Sequence, residues 1–184
     1  MQTPTHRYAD TPIRFPRHHH NMRDGTLDPQ IYRRLVAAVG FAELSLFQDA
    51  VEELEALPDE LKEITVVLAT WLEVYQRWQK WSEASSVAMH LAEMEPEESN
   101  WPVALAYAVR RSRGLVFAQE VLVQAGEKFP DCATIHFNLA CYAAQLGNLN
   151  EARLRLRRAI RLDQGFAALA KTDPDLKPIQ AEVE

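Results

Sequence analysis

Glycine is scarce, 6 residues in 184, which leaves little for phosphate-cradling loops or the tight turns of sandwiches and barrels. Val, Ile and Thr rarely occur in runs, which further disfavours sheets. Two cysteines build no disulfide framework. No stretch approaches the ~18 consecutive apolar residues of a membrane span, and the opening MQTPTHRYAD lacks the apolar core of a secretory leader. The expectation is a cytoplasmic protein with no membrane partner. Positive charge is in deficit too: 20 basic against 26 acidic residues give a net charge of −6, which disfavours a general phosphate-backbone binder. What remains, 47% hydrophobic and 25% charged with abundant Ala, Leu, Glu and Arg, describes an all-helical soluble chain.

The chain repeats itself. Ala50, Ala84, Ala118 and Ala152 lie 34 residues apart, and Phe47, Trp81, Leu115 and Leu149 precede them by three. Leu54, Ala88, Leu122 and Leu156 follow at four, then Leu57, Leu91, Ala125 and Ala159 at seven, so each set shares one face of a helix. Upstream, Ala37, Trp71, Leu105 and Leu139, with Phe41, Tyr75, Val109 and Ala143, mark a second helix in every unit. Small residues stand beside it at Ala38, Ala106 and Ala140. Where two backbones cross closely, a large side chain would force them apart, so alanine faces alanine and larger residues fill the flanks. The second unit departs, with Leu72 at the small site and Ala88 where the others have Leu; volume is exchanged across the seam. A single 34-residue hairpin buries too little to fold alone, so stability is shared with its neighbours.

Boundary residues fit this layout. Asp28-Pro29 reads as an N-cap followed by a first-turn proline, and Asn100-Trp101-Pro102 and Asp131 open later helices in the same way. Residues 1–27 read as a disordered or extended arm, 28–166 as four repeats (about 31–64, 65–98, 99–132 and 133–166), and 167–184 as a cap and tail. That tail is read as a short helix, a stop at Asp173-Pro174 and a last polar turn.

The segment ATIHFNLACYAAQLGNLNEARLRLRRAIRLD, with Leu139-Ala140, Gly147-Asn148, Glu151-Ala152, Ala159 and Leu162-Asp163, resembles a tetratricopeptide repeat, as do the 34-residue spacing and the closing Pro96 and Pro130. The resemblance covers roughly residues 28–166. It departs at Lys62 and Gln164, where the closing proline is absent, and at Pro58, where the second helix of the first repeat ends early. It implies a right-handed α-solenoid of four helix-turn-helix repeats with a C-terminal capping helix. Cochaperones of the family clamp a terminal carboxylate with Lys, Asn and Arg, but the matching positions here, Leu35, Val39 and Glu73, would repel that ligand.

Stacked helix pairs generate a concave face lined by the first helix of each pair, where partners are expected. Its residues by phase are Tyr32, Leu35, Val39, Ala69, Glu73, Gln76 and Arg77, followed by Val103, Tyr107, Arg110, Arg111, Phe137, Asn138, Cys141 and Gln145. Aromatic anchors at Tyr107 and Phe137 beside arginines suit a helix or extended peptide carrying apolar and acidic groups. The function expected is a protein-binding adaptor without catalysis or cofactor. Alternatives are a dedicated chaperone of a secreted or assembly client and an RNA-binding helical-repeat module. The acidic first half weighs against RNA.

Residues that invite chemistry lack the supporting pattern. His18, His19 and His20, with His6, are adjacent on the arm and lack the spacing of a metal site. His90 and His136 are isolated on separate helices and read as core-edge residues. Cys132 and Cys141 would lie ~13 Å apart on one helix, too far for a disulfide; Cys141 is a candidate for redox sensitivity. The four tryptophans fall in or near core columns. Charge is polar along the array: residues 28–98 hold 5 basic and 15 acidic groups, residues 99–184 hold 11 and 9, and residues 1–27 hold 4 and 2. Arg153, Arg155, Arg157, Arg158 and Arg161 crowd one helix, which could meet the acidic end of a second copy.

Overall fold

The computed structural model describes residues 27–182, and the arm's histidines, His6, His18, His19 and His20, lie outside them. The chain divides into two compact units between Ala108 and Val109. The N-terminal unit contains α1 (Pro29–Glu43), α2 (Phe47–Glu55), α3 (Thr65–Arg77), α4 (Trp81–Met94) and the start of α5 (Asn100–Ser112). The C-terminal unit contains the rest of α5, α6 (Leu115–Lys128), α7 (Ala133–Gln145), α8 (Leu149–Leu162), α9 (Gly165–Ala170) and a 3-10 segment, Pro174–Glu182. Among the described residues no strand occurs, and no helix is long and apolar enough to cross a membrane.

The repeating columns are the packing columns. Phe47, Trp81, Leu115 and Leu149 are the first residues of α2, α4, α6 and α8. Ala50, Ala84, Ala118 and Ala152 have no exposed surface at all, and Ala38, Ala106 and Ala140 are buried as well. Leu72 and Ala88 sit fully buried in one cluster with Ala84, Leu91, Trp101 and Ala104, the volume exchange foreseen for the second repeat. Leu35, Ala38, Ala50 and Leu54 of the first repeat form a second cluster, which Val67 and Val74 of α3 complete.

The turns inside the hairpins repeat also. Backbone φ is positive at Ser45 (62°), Gln79 (59°) and Gly147 (79°), which share one column, and at Gly114 (102°), displaced by one residue. The residue at each chain reversal closes it by donating to a carbonyl five residues earlier: Leu46 to Phe41 at 2.8 Å, Lys80 to Tyr75 at 2.9 Å, Gly114 to Val109 at 3.1 Å and Asn148 to Ala143 at 2.8 Å. This satisfies carbonyls that the helix end would otherwise leave open.

At the boundaries, Asp28 caps α1 by accepting from the Gln30 amide at 2.7 Å, with Pro29 in the first turn. Pro58 follows a nine-residue α2, shorter than the 14 residues of α4, and a 3-10 turn at Asp59–Leu61 completes the connection. Asp131 does not cap α7 as expected. The N-cap position belongs to Cys132, which makes no side-chain cap bond, and Asp131 pairs with Arg158 at 2.6 Å. The expected polar tail is also corrected: Ala170, Leu176 and Ile179 are buried, and the 3-10 segment packs against α7 and α8. Fully burying Leu176 and Ile179 contributes ~1.5–3 kcal/mol apiece to holding it there.

Candidate functional site

In the N-terminal unit the first-helix residues separate by exposure. Tyr32 and Val36, one turn apart on α1, are exposed at 37% and 42%, and Val39 is half-buried on the same face. Leu35, expected on the concave face, is 1% exposed because it fills the α1–α2 core. On α3, Arg77 donates to Glu73 at 2.9 Å and reaches Glu43 of α1 at 3.3 Å, so the Glu73 carboxylate is committed to a guanidinium. Gln76 and Ala69 are buried, and neither polar atom of the Gln76 amide has a hydrogen-bond partner. Tyr107 and Val103 are buried too, with the Tyr107 ring meeting Trp81 edge-on at 5.8 Å.

In the C-terminal unit the expected site residues converge, but the chain's own tail covers them. Arg110 bonds Asp175 at 3.2 Å and the Gln145 side-chain carbonyl at 3.1 Å, and its guanidinium lies 5.2 Å over the Tyr142 ring. Phe137 is buried and packs at 4.7 Å on Phe166 of α9. The Cys141 thiol donates to Asp173 at 3.8 Å. Burial first, then the charges of Asp173 and Asp175, push that thiol well above its ordinary range, which favours the protonated, less nucleophilic form. Burial likewise pushes the Tyr142 phenol up to about 12 against the opposing pull of Arg110. Asn138 is half-buried and donates back to the Thr134 carbonyl. Arg111 is half-buried at the end of α5.

Cys141, Asp173 and Asp175 bring a thiol and two carboxylates within 4.8 Å of one another, all buried. The donor set does not read as a metal centre: a guanidinium already supplies the positive charge, and the thiol is held neutral.

No family model and no curated protein matches the chain in sequence. Solved structures match it in fold. A thermophilic TPR protein of Thermus thermophilus superposes with a TM-score of 0.61 at 20% identity, over 83% of this chain and 85% of that one. MamA from AMB-1 gives 0.57 at 16% identity, over 84% and 85%, and MamA from MSR-1 gives 0.55 at 15%, over 85% and 91%. The fold is that of a tetratricopeptide-repeat protein. The positions that the resemblance aligns with the cochaperone clamp are a buried Leu35, a half-buried Val39 and a Glu73 held by Arg77, and none offers a cation to a terminal carboxylate.

Other side chains join the helices to one another. Trp101 is buried and donates its indole N–H to Glu95 at 2.9 Å, while Thr65 donates to the other Glu95 oxygen. His136 is buried, with Nε2 2.9 Å from the Pro130 carbonyl and Nδ1 3.4 Å from Arg155. Because a carbonyl only accepts, the proton is on Nε2 and Nδ1 receives the arginine N–H. His90 lies 3.1 Å from Glu63. On α8, Arg155 pairs with Glu151 at 2.6 Å, Arg158 with Asp131, and Arg153 with Asn150, so these arginines bond within their own unit. No disulfide joins Cys132 and Cys141. Sequence reasoning passed over Val36, four residues after Tyr32 and thus on its face. It also passed over Asp175, which stands 34 residues after Cys141 in the same column.

Proposed function

We propose that this chain is a protein-binding module, without catalysis of its own, that holds a segment of a partner polypeptide against its first helices. The observation that carries this reading is the exposed pair Tyr32 and Val36 on α1, two large apolar side chains a turn apart with half-buried Val39 beside them. A helix or extended segment with apolar anchors buries such a stripe at ~25 cal/mol per Å². The Arg77 network next to it, through Glu43, supplies polar groups at the rim. The TPR fold of the solved structures supports a scaffold role in general terms.

A photo-crosslinking residue at position 36, expressed in the native cell, tests the reading, with the same residue at exposed position 52 on α2 as control. A discrete protein adduct from position 36, absent from position 52 and lost in Tyr32→Asp, is the expected result. Equal adducts from both positions, or adducts to RNA alone, would refute it.

A further inference from the structure

The C-terminal unit holds a carboxylate where a partner's would sit. Arg110 comes from the first helix of the third repeat, Tyr142 and Gln145 from that of the fourth. Of the three, Arg110 meets the Asp175 carboxylate, bonding one oxygen at 3.2 Å, while the Tyr142 ring lies under the guanidinium at 5.2 Å and Gln145 fixes a second guanidinium nitrogen at 3.1 Å. The Arg110 side chain keeps 15% of its surface and that of Asp175 keeps 1%. The acid is presented by a short preorganised turn. The Asp175 amide bonds the Asp173 side chain at 2.9 Å, the Gln180 side chain bonds the Asp173 carbonyl at 2.6 Å, and Pro174 fixes the backbone between the two acids. Leu176 and Ile179 follow as buried apolar anchors.

The geometry points to Arg110, Tyr142 and Gln145 as a carboxylate subsite for acidic peptides, occupied in the resting chain by Asp173-Pro174-Asp175-Leu176 as a tethered ligand that such a peptide displaces. This rests on the protein-binding reading and adds the partner's chemistry: two carboxylates flanking a turn, then an apolar residue. Three features favour an exchangeable contact over a fixed one. Among the described residues the tail carries no α-helix beyond Ala170, so its release breaks no long helical ladder. The ion pair joins residues 65 apart in sequence, so the groups that hold the acid are supplied by helices outside the tail. A guanidinium with a cation–π platform and an amide brace is a recognition arrangement that accepts a carboxylate from any chain. A tethered segment acts at an effective concentration of order millimolar, so it sets a threshold that a free acidic peptide must exceed.

The test uses a fluorescein-labelled peptide of residues 169–182, titrated by anisotropy into the full-length chain. The wild type is expected to bind it weakly. A chain carrying Asp175→Asn with Leu176→Ala should bind at least tenfold more tightly, adding Arg110→Gln should remove that gain, and a peptide carrying Asp175→Asn should not bind. Equal affinity in all chains, no binding included, with helicity retained, overturns the proposal. Should the double variant lose its fold, hydrogen exchange on the wild type decides: amides of 173–180 opening well before those of α7 support a displaceable tail, and matching protection overturns it. The crosslink from position 36 lies in the other unit, so either result can fail without the other.

Discussion

Exchanging Leu72 and Ala88 for each other probes the packing account most directly. Both are completely buried and share one cluster, and the other repeats carry the opposite arrangement, a small first-helix residue with a second-helix leucine, as in Ala38 with Leu54. Leu72→Ala empties a site with no solvent contact and costs about 2–5 kcal/mol through lost transfer energy and a residual cavity. Ala88→Leu forces extra methylenes beside a tight crossing and costs about 1–3 kcal/mol. Independent sites would give the double variant the sum, about 3–8 kcal/mol. If the volume is shared across one seam, the added leucine fills the cavity and the double variant loses less than about 2 kcal/mol, close to a volume-conserving swap. Urea unfolding followed by circular dichroism on all four chains gives the coupling energy. Additivity within ~0.5 kcal/mol would show that the two side chains do not fill a common space, and would remove the seam from the argument.

Other consequences can be measured as readily. Gln79→Gly relieves a left-handed backbone (φ 59°) that costs a residue with a Cβ about 1 kcal/mol, so the thermal midpoint should rise; a fall would mean the Gln79 side chain contributes more than the strain costs. The Cys141 thiol should resist alkylation at pH 8 until the chain is unfolded, since burial and the neighbouring acids keep it protonated, and modification of the folded chain, read by mass spectrometry, would contradict that. The Tyr142 phenol is raised from 10.0 to about 12 by burial, so the folded state holds this proton where the unfolded state releases it. Its contribution is intact below pH 10 and is lost as pH climbs towards 12, about 3 kcal/mol in all. Tyr142→Phe should flatten stability over that window, and an unchanged pH slope would assign the loss to other groups.

The hairpins were legible because backbone geometry alone dictates them. A crossing tight enough to need alanine needs it in every repeat, so Ala50, Ala84, Ala118 and Ala152 announce themselves at fixed spacing, and all four are buried without remainder. Exposure was less legible, because it depends on what the next segment of chain does. Phase alone placed Leu35 and Cys141 on the partner-facing side, but a helix face flanked by neighbours on both sides has a narrow open strip. Leu35 turns into the α1–α2 core, and Cys141 lies beneath Asp173. The large apolar side chains of the first helices that remain open, Tyr32 and Val36, are on α1, the first described helix.

The tail shows how a periodic sequence hides an occupant. Residues 167–184 looked like a polar cap because two lysines, two aspartates, two prolines and two glutamates interrupt their apolar residues. Yet the 34-residue register runs straight through: Asp175 stands one period after Cys141, and Leu176 one period after Tyr142. The chain thus begins the inner face of another first helix and then cannot build it, because Pro174 and Pro178 deny a continuous α-helical ladder and leave a 3-10 segment instead. An element that keeps the column positions of a repeat but not its helix carries their side chains to the inner face without the cooperative stability of a full turn ladder. Asp175 is therefore held by Arg110 and by two apolar anchors, a few contacts that one well-matched acidic segment could replace, whereas the alanine seams beneath can be exchanged for nothing.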